Sequence, residues 1–145
     1  MSKSINKYFL DHFKKLKIKR NDNILVYSDL SKIGIVNKQL PKIILTCLKS
    51  CIGKGGTLVM PFYNFEKKKN FIFNKKKFIN SSVIGALNRE FSKEKKIIRS
   101  NCIIHNHIGI GSSANILKYS NENYSLGKNS DFEFFKIYNF KLLML

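Results

Sequence analysis

Two short apolar runs with a helical apolar stripe between them constrain this chain more than anything else in it. The first run is "ILVYS", Ile24–Ser28, and the second lies in "GGTLVMP", Gly55–Pro61, where a turn feeds it and proline closes it. Between them Leu40, Ile43, Ile44, Cys47, Leu48 and Cys51 recur at three- and four-residue spacing, one face of an amphipathic helix. Asn37 is a fitting N-cap, Pro41 falls in the first turn where a missing N–H is tolerated, and Gly53 stops the helix. Strand, helix, strand in this order is a crossover unit, and crossovers join parallel neighbours. The expected fold class is α/β: a mostly parallel central sheet with flanking helices.

The flanks extend this pattern. Ile5, Tyr8, Phe9, Phe13 and Leu16 predict a helix over Ser4–Leu16. Residues 64–80 carry Lys67–Lys69 and Lys75–Lys77 and read as an exposed Lys-rich excursion. Ser82 then caps a helix bearing Val83, Ile84, Leu87 and Phe91, and "CIIHNHIGIG" reads as a strand running into a glycine turn. After an Asn121–Lys128 loop, Ser130-Asp131-Phe132-Glu133 is a capping box that starts a short helix reaching Tyr138. Lys141–Leu145 has a buried-strand pattern with no turn or polar tail after it. The expectation is one partial, truncated domain over residues 1–145, the front part of something longer.

Length and charge narrow the function classes. A chain of 145 residues with 43% hydrophobic content is long enough for a real core and too apolar for global disorder. Its 27 Lys and Arg against 9 Asp and Glu give a formal charge of +18, which raises the question of a polyanionic partner. The lysines are spread along the chain without interleaved aromatics, and neither a recognition-helix pattern nor zinc-finger spacing occurs. Drift toward Lys, Asn and Ile explains the charge better than specific nucleic-acid binding, and a basic nucleic-acid-binding domain is the weakest reading. No apolar run is long enough to span a membrane, and the N-terminus lacks a signal-peptide core, so a cytoplasmic chain is expected. Three scattered cysteines fit a reducing compartment.

Four motifs bear on chemistry. Gly53-Lys54-Gly55-Gly56-Thr57 leads from helix to strand, whereas phosphate-binding loops lead from strand to helix, so it reads as a helix stop and tight turn. Cys102, His105 and His107 are potential metal ligands, and in a strand the two histidines share a face. A closed zinc site takes four ligands and no second cluster exists, so no metal is expected; the histidines read as ordinary strand residues, or as one histidine in a pocket. Cys47 and Cys51 sit on the helical stripe as core residues, and His12 among lysines reads as surface. The loop Tyr27–Gly34, "YSDLSKIG", is more informative, because it leaves a parallel strand at its carboxyl end, where open α/β sheets place ligands. Ser28 and Ser31 can donate to phosphate or carbonyl oxygens, the turn offers N–H groups, and Gly34 permits close approach. The same residues also describe a hydroxyl-rich turn that caps the next helix, and the sequence leaves both readings open.

Taken in order, "DNILVYSDLSKIGIV", "GKGGTLVMPFYNF", "VIGALNREFSKEKKIIRSNCIIHNHIGIG" and "SLGKNSDFEFFKIYNFKLLML" resemble the N-terminal part of the aminoglycoside 3-N-acetyltransferase family, also called antibiotic N-acetyltransferases. The resemblance covers nearly the whole chain and implies transfer of acetyl from acetyl-coenzyme A to an amino group of an aminoglycoside or amino sugar. It implies that coenzyme A is held by the loop through Tyr27, Ser28, Asp29, Ser31 and Gly34, together with His105 and Asn106. His105 and Asn106 match the family's Arg-Ser-x-x-Pro-x-His-Ser stretch, which begins at Arg99 and Ser100, and His105 is the one candidate for a catalytic role. Cys102, Ile103 and Asp131 depart from the family pattern; Asp131 stands where the family has the proline of Ser-Pro-Phe. The family's catalytic histidine, in a Thr-x-x-His-x-x-Glu pattern, would follow the strand at Leu145. The implied partners are therefore a small amine acceptor together with self-association or a C-terminal half. The competing expectation is an inactive remnant that still binds coenzyme A.

Overall fold

The computed structural model describes residues 2–35, 37–63 and 85–145. Its sheet has five strands: β1 (Asn23–Tyr27), β2 (Thr57–Pro61), β3 (Ile98–Arg99), β4 (His107–Gly111) and β5 (Lys141–Met144), in the order β3-β4-β2-β1-β5. Among the described residues four helices accompany it: α1 (Ser2–Lys15), α2 (Leu40–Ile52), α3 (Ala86–Phe91) and α4 (Asp131–Ile137).

The strand–helix–strand unit forms as the apolar spacing demands. β1 and β2 pair in parallel with Ile24 opposite Leu58, and β5 joins the other side of β1 in parallel with Val26 opposite Leu143. The other half of the sheet is antiparallel. β4 runs against β2 with Met60 opposite Ile108, and β3 runs against β4. The sheet is thus mixed, parallel through β2-β1-β5 as a crossover requires and antiparallel through β3-β4-β2. The reason is local: β3 and β4 are joined by a hairpin-like return over residues 100–106, closed by Ser100 N–H to His107 O at 2.8 Å. A short return reverses direction, and only a crossover preserves it.

Strand alternation divides the core between two faces. Ile24, Val26, Leu58, Met60 and Ile108 pack with Phe9 and Phe13 of α1, the stripe of α2, and Leu87 and Phe91 of α3. Leu25 and Val59 point the other way, onto Ile116 and Leu117 of a 3-10 turn and Phe135 of α4. Helices on both faces of a mixed sheet confirm the α/β class. Cys47 is buried in the stripe and Cys51 packs against it, as core residues.

Several local expectations change. Asn37 does not cap α2; its side chain accepts from Gln39 N–H at 2.7 Å and its carbonyl from Leu40 N–H, forming a turn just ahead of the helix. The strand after Asn106 is shorter than "CIIHNHIGIG" implied. It starts at His107, and His105 lies in the preceding loop, so the two histidines do not share a strand face. β5 is an edge strand of the described sheet: Leu143 is buried, while Leu142 and Met144 are exposed, which its apolar sequence hid. The capping box is realised with a shift. Ser130 Oγ accepts from Glu133 N–H, while the Glu133 carboxylate reaches back to Asn129 N–H. The Lys-rich excursion and the start of the helix expected at Ser82 lie outside the described residues.

Candidate functional site

The carboxyl ends of β1 and β2 gather the candidate residues. The chain leaves β1 at Tyr27, and Leu145 continues the β5 pairing through Leu145 N–H to Tyr27 O at 2.9 Å and Asp29 N–H to Leu145 O at 2.7 Å. A single 3-10 turn, Leu30–Ile33, follows and ends at Gly34 with φ of 72°. Asp29 caps that turn. Its carboxylate accepts from Ser31 Oγ at 2.6 Å and Ser31 N–H at 3.2 Å, and its carbonyl accepts from Lys32 N–H. The N–H groups of Asp29, Ser31 and Lys32 are therefore already engaged, which removes the expectation that they are open to a ligand. The capping reading of this loop is realised in Asp29 and Ser31. Ser28 differs, because its hydroxyl is buried without a partner. Gly34 faces open space where a side chain would stand.

The Ser31 bonds hold the Asp29 carboxylate below its ordinary value of 3.8. A depressed carboxylate pKa adds stability above the unfolded value and loses it as pH falls through the folded one. The carboxyl-carbon NMR titration of Asp29 should therefore have its midpoint below 3.8 and return toward it in Ser31→Ala. A wild-type midpoint at or above the ordinary value would show that the cap does not hold in solution.

Tyr27 and His105 are brought together through Tyr63, which sequence reasoning did not single out. The Tyr63 and Tyr27 hydroxyls are hydrogen-bonded at 2.6 Å, and the Tyr63 ring stands edge-on to His105 with centroids 5.0 Å apart. Burial, and next the bond to Tyr27, push the Tyr63 phenol upward, so it stays a neutral hydroxyl. His105 Nδ1 is 2.7 Å from Ser125 Oγ. Asn106 is a bracket, wholly buried. Its carbonyl oxygen accepts from Arg99 Nε at 2.8 Å, and its amide nitrogen reaches the carbonyls of Ile103 and Ile104. Burial brings the Arg99 guanidinium, which lies over the Phe62 ring, down to about 10, leaving it charged at neutral pH. Asn88 of α3 donates from its amide to Pro61 O and so ties α3 to the end of β2.

The best-organised polar pair at this end of the sheet joins His107 to Asp131. The Asp131 carboxylate accepts from His107 Nδ1 at 2.7 Å, with the two side chains 0% and 1% exposed. A carboxylate can only accept, so the shared proton belongs to Nδ1. His107 Nε2 and Asp131 Oδ1 are buried without partners. The rings of Tyr63, Phe132 and Phe135 stand edge-on around the imidazole at 5.4, 5.3 and 4.9 Å. The available sequence signal was Asp131 at the head of a helix rich in phenylalanine, but its partner lies 24 residues away. Among the described residues no cluster suits a metal ion, and no helix is long and apolar enough to cross a membrane.

Comparisons with known proteins agree with this architecture. The YokD protein from Bacillus subtilis superposes with a TM-score of 0.84 at 22% identity, over 97% of this chain and 64% of its own. An AAC-VIa enzyme bound to sisomicin gives 0.82 at 15%, over 96% and 58%. AAC-IIIb in a binary complex with CoASH gives 0.79 at 17%, over 97% and 58%. The chain thus spans less than two thirds of the length of these solved relatives. A search among curated protein sequences gives no match. The family model for aminoglycoside 3-N-acetyltransferase matches residues 25–145, from within β1 through the loop, the His107–Asp131 pair and β5, and the chain belongs to that family.

Proposed function

We propose that this chain binds acetyl-coenzyme A and transfers its acetyl group to an amine of an aminoglycoside or amino sugar. The observation that carries the reading is the family match over residues 25–145, which includes the loop at the carboxyl end of β1. The residues there fit such a cofactor. Ser28 Oγ is a buried hydroxyl lacking a partner, Gly34 borders open space, and Lys32 on the same turn supplies a cation for a diphosphate. Asp29 and Ser31 act by holding the turn, Tyr27 by fixing Tyr63 beside His105, and Asn106 by holding the loop that carries His105. When bound, the thioester supplies the acetyl group, with the thiol as leaving group and one proton leaving the accepting amine. His105 is the candidate to receive that proton. The three free cysteines and the cofactor both fit a cytoplasmic place of action.

A thermal melt with acetyl-coenzyme A at a hundredfold excess over its dissociation constant should stabilise the chain by about 2.7 kcal/mol, a rise of roughly 8 °C. An unchanged melt would remove the cofactor from the reading. Acetylation of a soluble amine by the same chain, lost in His105→Asn, separates an enzyme from a coenzyme A binder.

A further inference from the structure

We infer that Ser125 is a positioning residue for His105: it holds the imidazole proton on Nδ1 and so makes Nε2 the nitrogen that takes a proton from the attacking amine. The inference rests on the acetyl-transfer reading and names a residue to which that reading gives no role.

A seam between two stretches of chain brings Ser125 to His105. Asn101 N–H donates to Ser120 Oγ at 2.9 Å, the Asn101 side-chain amide donates to Lys118 O at 2.8 Å, and Ile103 N–H donates to Glu122 O at 3.2 Å. At the end of this seam Ser125 Oγ lies 2.7 Å from His105 Nδ1 and 3.7 Å from Cys102 Sγ. The Tyr63 ring, bonded through its hydroxyl to Tyr27, stands edge-on to the same imidazole.

A hydroxyl has one proton and two lone pairs, so these contacts allow two chains of donation. In the first, Cys102 S–H donates to Oγ and the Ser125 hydroxyl donates to Nδ1. The lone pair of the neutral imidazole is then the one that Ser125 covers, and Nε2 carries the proton and can receive none. In the second, Nδ1–H donates to Oγ and the hydroxyl turns to Cys102 Sγ. The lone pair then lies on Nε2, on the far side of the ring from the serine. Uptake of a proton from an amine requires the second arrangement. Its product is an imidazolium whose Nδ1–H keeps the same bond to Oγ, so no group has to turn as the charge forms. The neighbouring histidine gives the contrast. His107 also has its Nδ1 fixed, by the Asp131 carboxylate, but it is 0% exposed, whereas His105 and Ser125 are both partly exposed.

Two measurements on the 145-residue chain test this. Long-range proton–nitrogen NMR spectra taken with neutral histidines should show His105 protonated on Nδ1. Ser125→Ala should move it toward the Nε2–H form, and Ser125→Thr, which keeps the hydroxyl, should not. Acetylation of sisomicin or glucosamine from acetyl-coenzyme A should lose about tenfold or more in kcat in Ser125→Ala, with KM within about twofold, and recover in Ser125→Thr. Asn101→Ala loosens the same seam without touching His105, and should leave tautomer and kcat as they are in the wild type. A wild-type His105 protonated on Nε2 overturns the inference, as does a Ser125→Ala chain unchanged in tautomer or in kcat. So does an Asn101→Ala chain that loses as much as Ser125→Ala, because packing of the seam and not the hydroxyl would then be responsible. A wild-type chain that acetylates neither amine fails the acetyl-transfer reading and the inference with it, and that failure is seen before any variant is made.

Discussion

Replacing Asp131 by alanine is expected to lower the folding stability of this chain by about 3–5 kcal/mol, a fall in urea midpoint of roughly 1.5 M or more. The reason is what remains behind. His107 is 0% exposed, its Nδ1–H now points at the Asp131 carboxylate, and its Nε2 already has no partner. Without the carboxylate the imidazole keeps two unsatisfied nitrogens among the rings of Tyr63, Phe132 and Phe135. The same reasoning makes the pair itself dispensable. The double variant His107→Leu, Asp131→Val removes both polar groups from a site of similar volume and should lie within about 1.5 kcal/mol of the wild type. The two results together form the test. A loss below about 1 kcal/mol in Asp131→Ala, or a double variant no better than the single one, would mean that water reaches the pair in solution.

That pair also marks the limit of what the sequence made legible. The crossover unit could be read because its information is local. The stripe from Leu40 to Cys51 has one period, Pro41 and Gly53 bracket it, and the runs on either side are apolar and short. The head of α4 was legible for the same reason, since a serine hydroxyl that takes the N–H three residues on marks the first turn of a helix. Pairing direction is not local. Nothing in "HIGIG" says that β4 will lie against β2 in the antiparallel sense; the short return from β3 decides that, and β3 is only two residues long. Burial of a strand is not local either. "KLLML" reads as interior, yet the edge position of β5 leaves Leu142 and Met144 exposed.

The site divides along the same line. The loop Tyr27–Gly34 was found from its place at a strand end, but the roles within it depend on bonds the sequence does not display. Asp29 and Ser31 face each other, so the polar atoms that looked most available are the engaged ones, and Ser28 is the one left over. Tyr63 went unnoticed, and the pairing of His107 with Asp131 could not be read although each residue was named, because these contacts span 24 to 36 residues of chain.

The second large effect concerns a glycine whose importance is backbone geometry alone. Gly111, the last residue of β4, has φ of 117°, and a methyl group placed on it would lie 2.2 Å from Gly56 O and 2.7 Å from Thr57 Cα. Those neighbours are backbone at the start of β2, held by Thr57 N–H to Asp22 O at 3.0 Å and by Ser112 Oγ to Gly55 O at 2.6 Å. They cannot rotate aside as a side chain does, so the clash moves the strand or opens the turn. Gly111→Ala should therefore cost about 3 kcal/mol, combining left-handed strain with forced overlap. Gly34→Ala supplies the control, because its φ of 72° imposes strain of about 1 kcal/mol while nothing lies within 4 Å to be struck. Urea midpoints for the two variants separate the contributions. If Gly111→Ala lost no more than Gly34→Ala, the close approach of β4 to the Gly55–Gly56 turn would not be a feature of the folded chain in solution. The register that places His107 beside the end of β2 would then need another anchor.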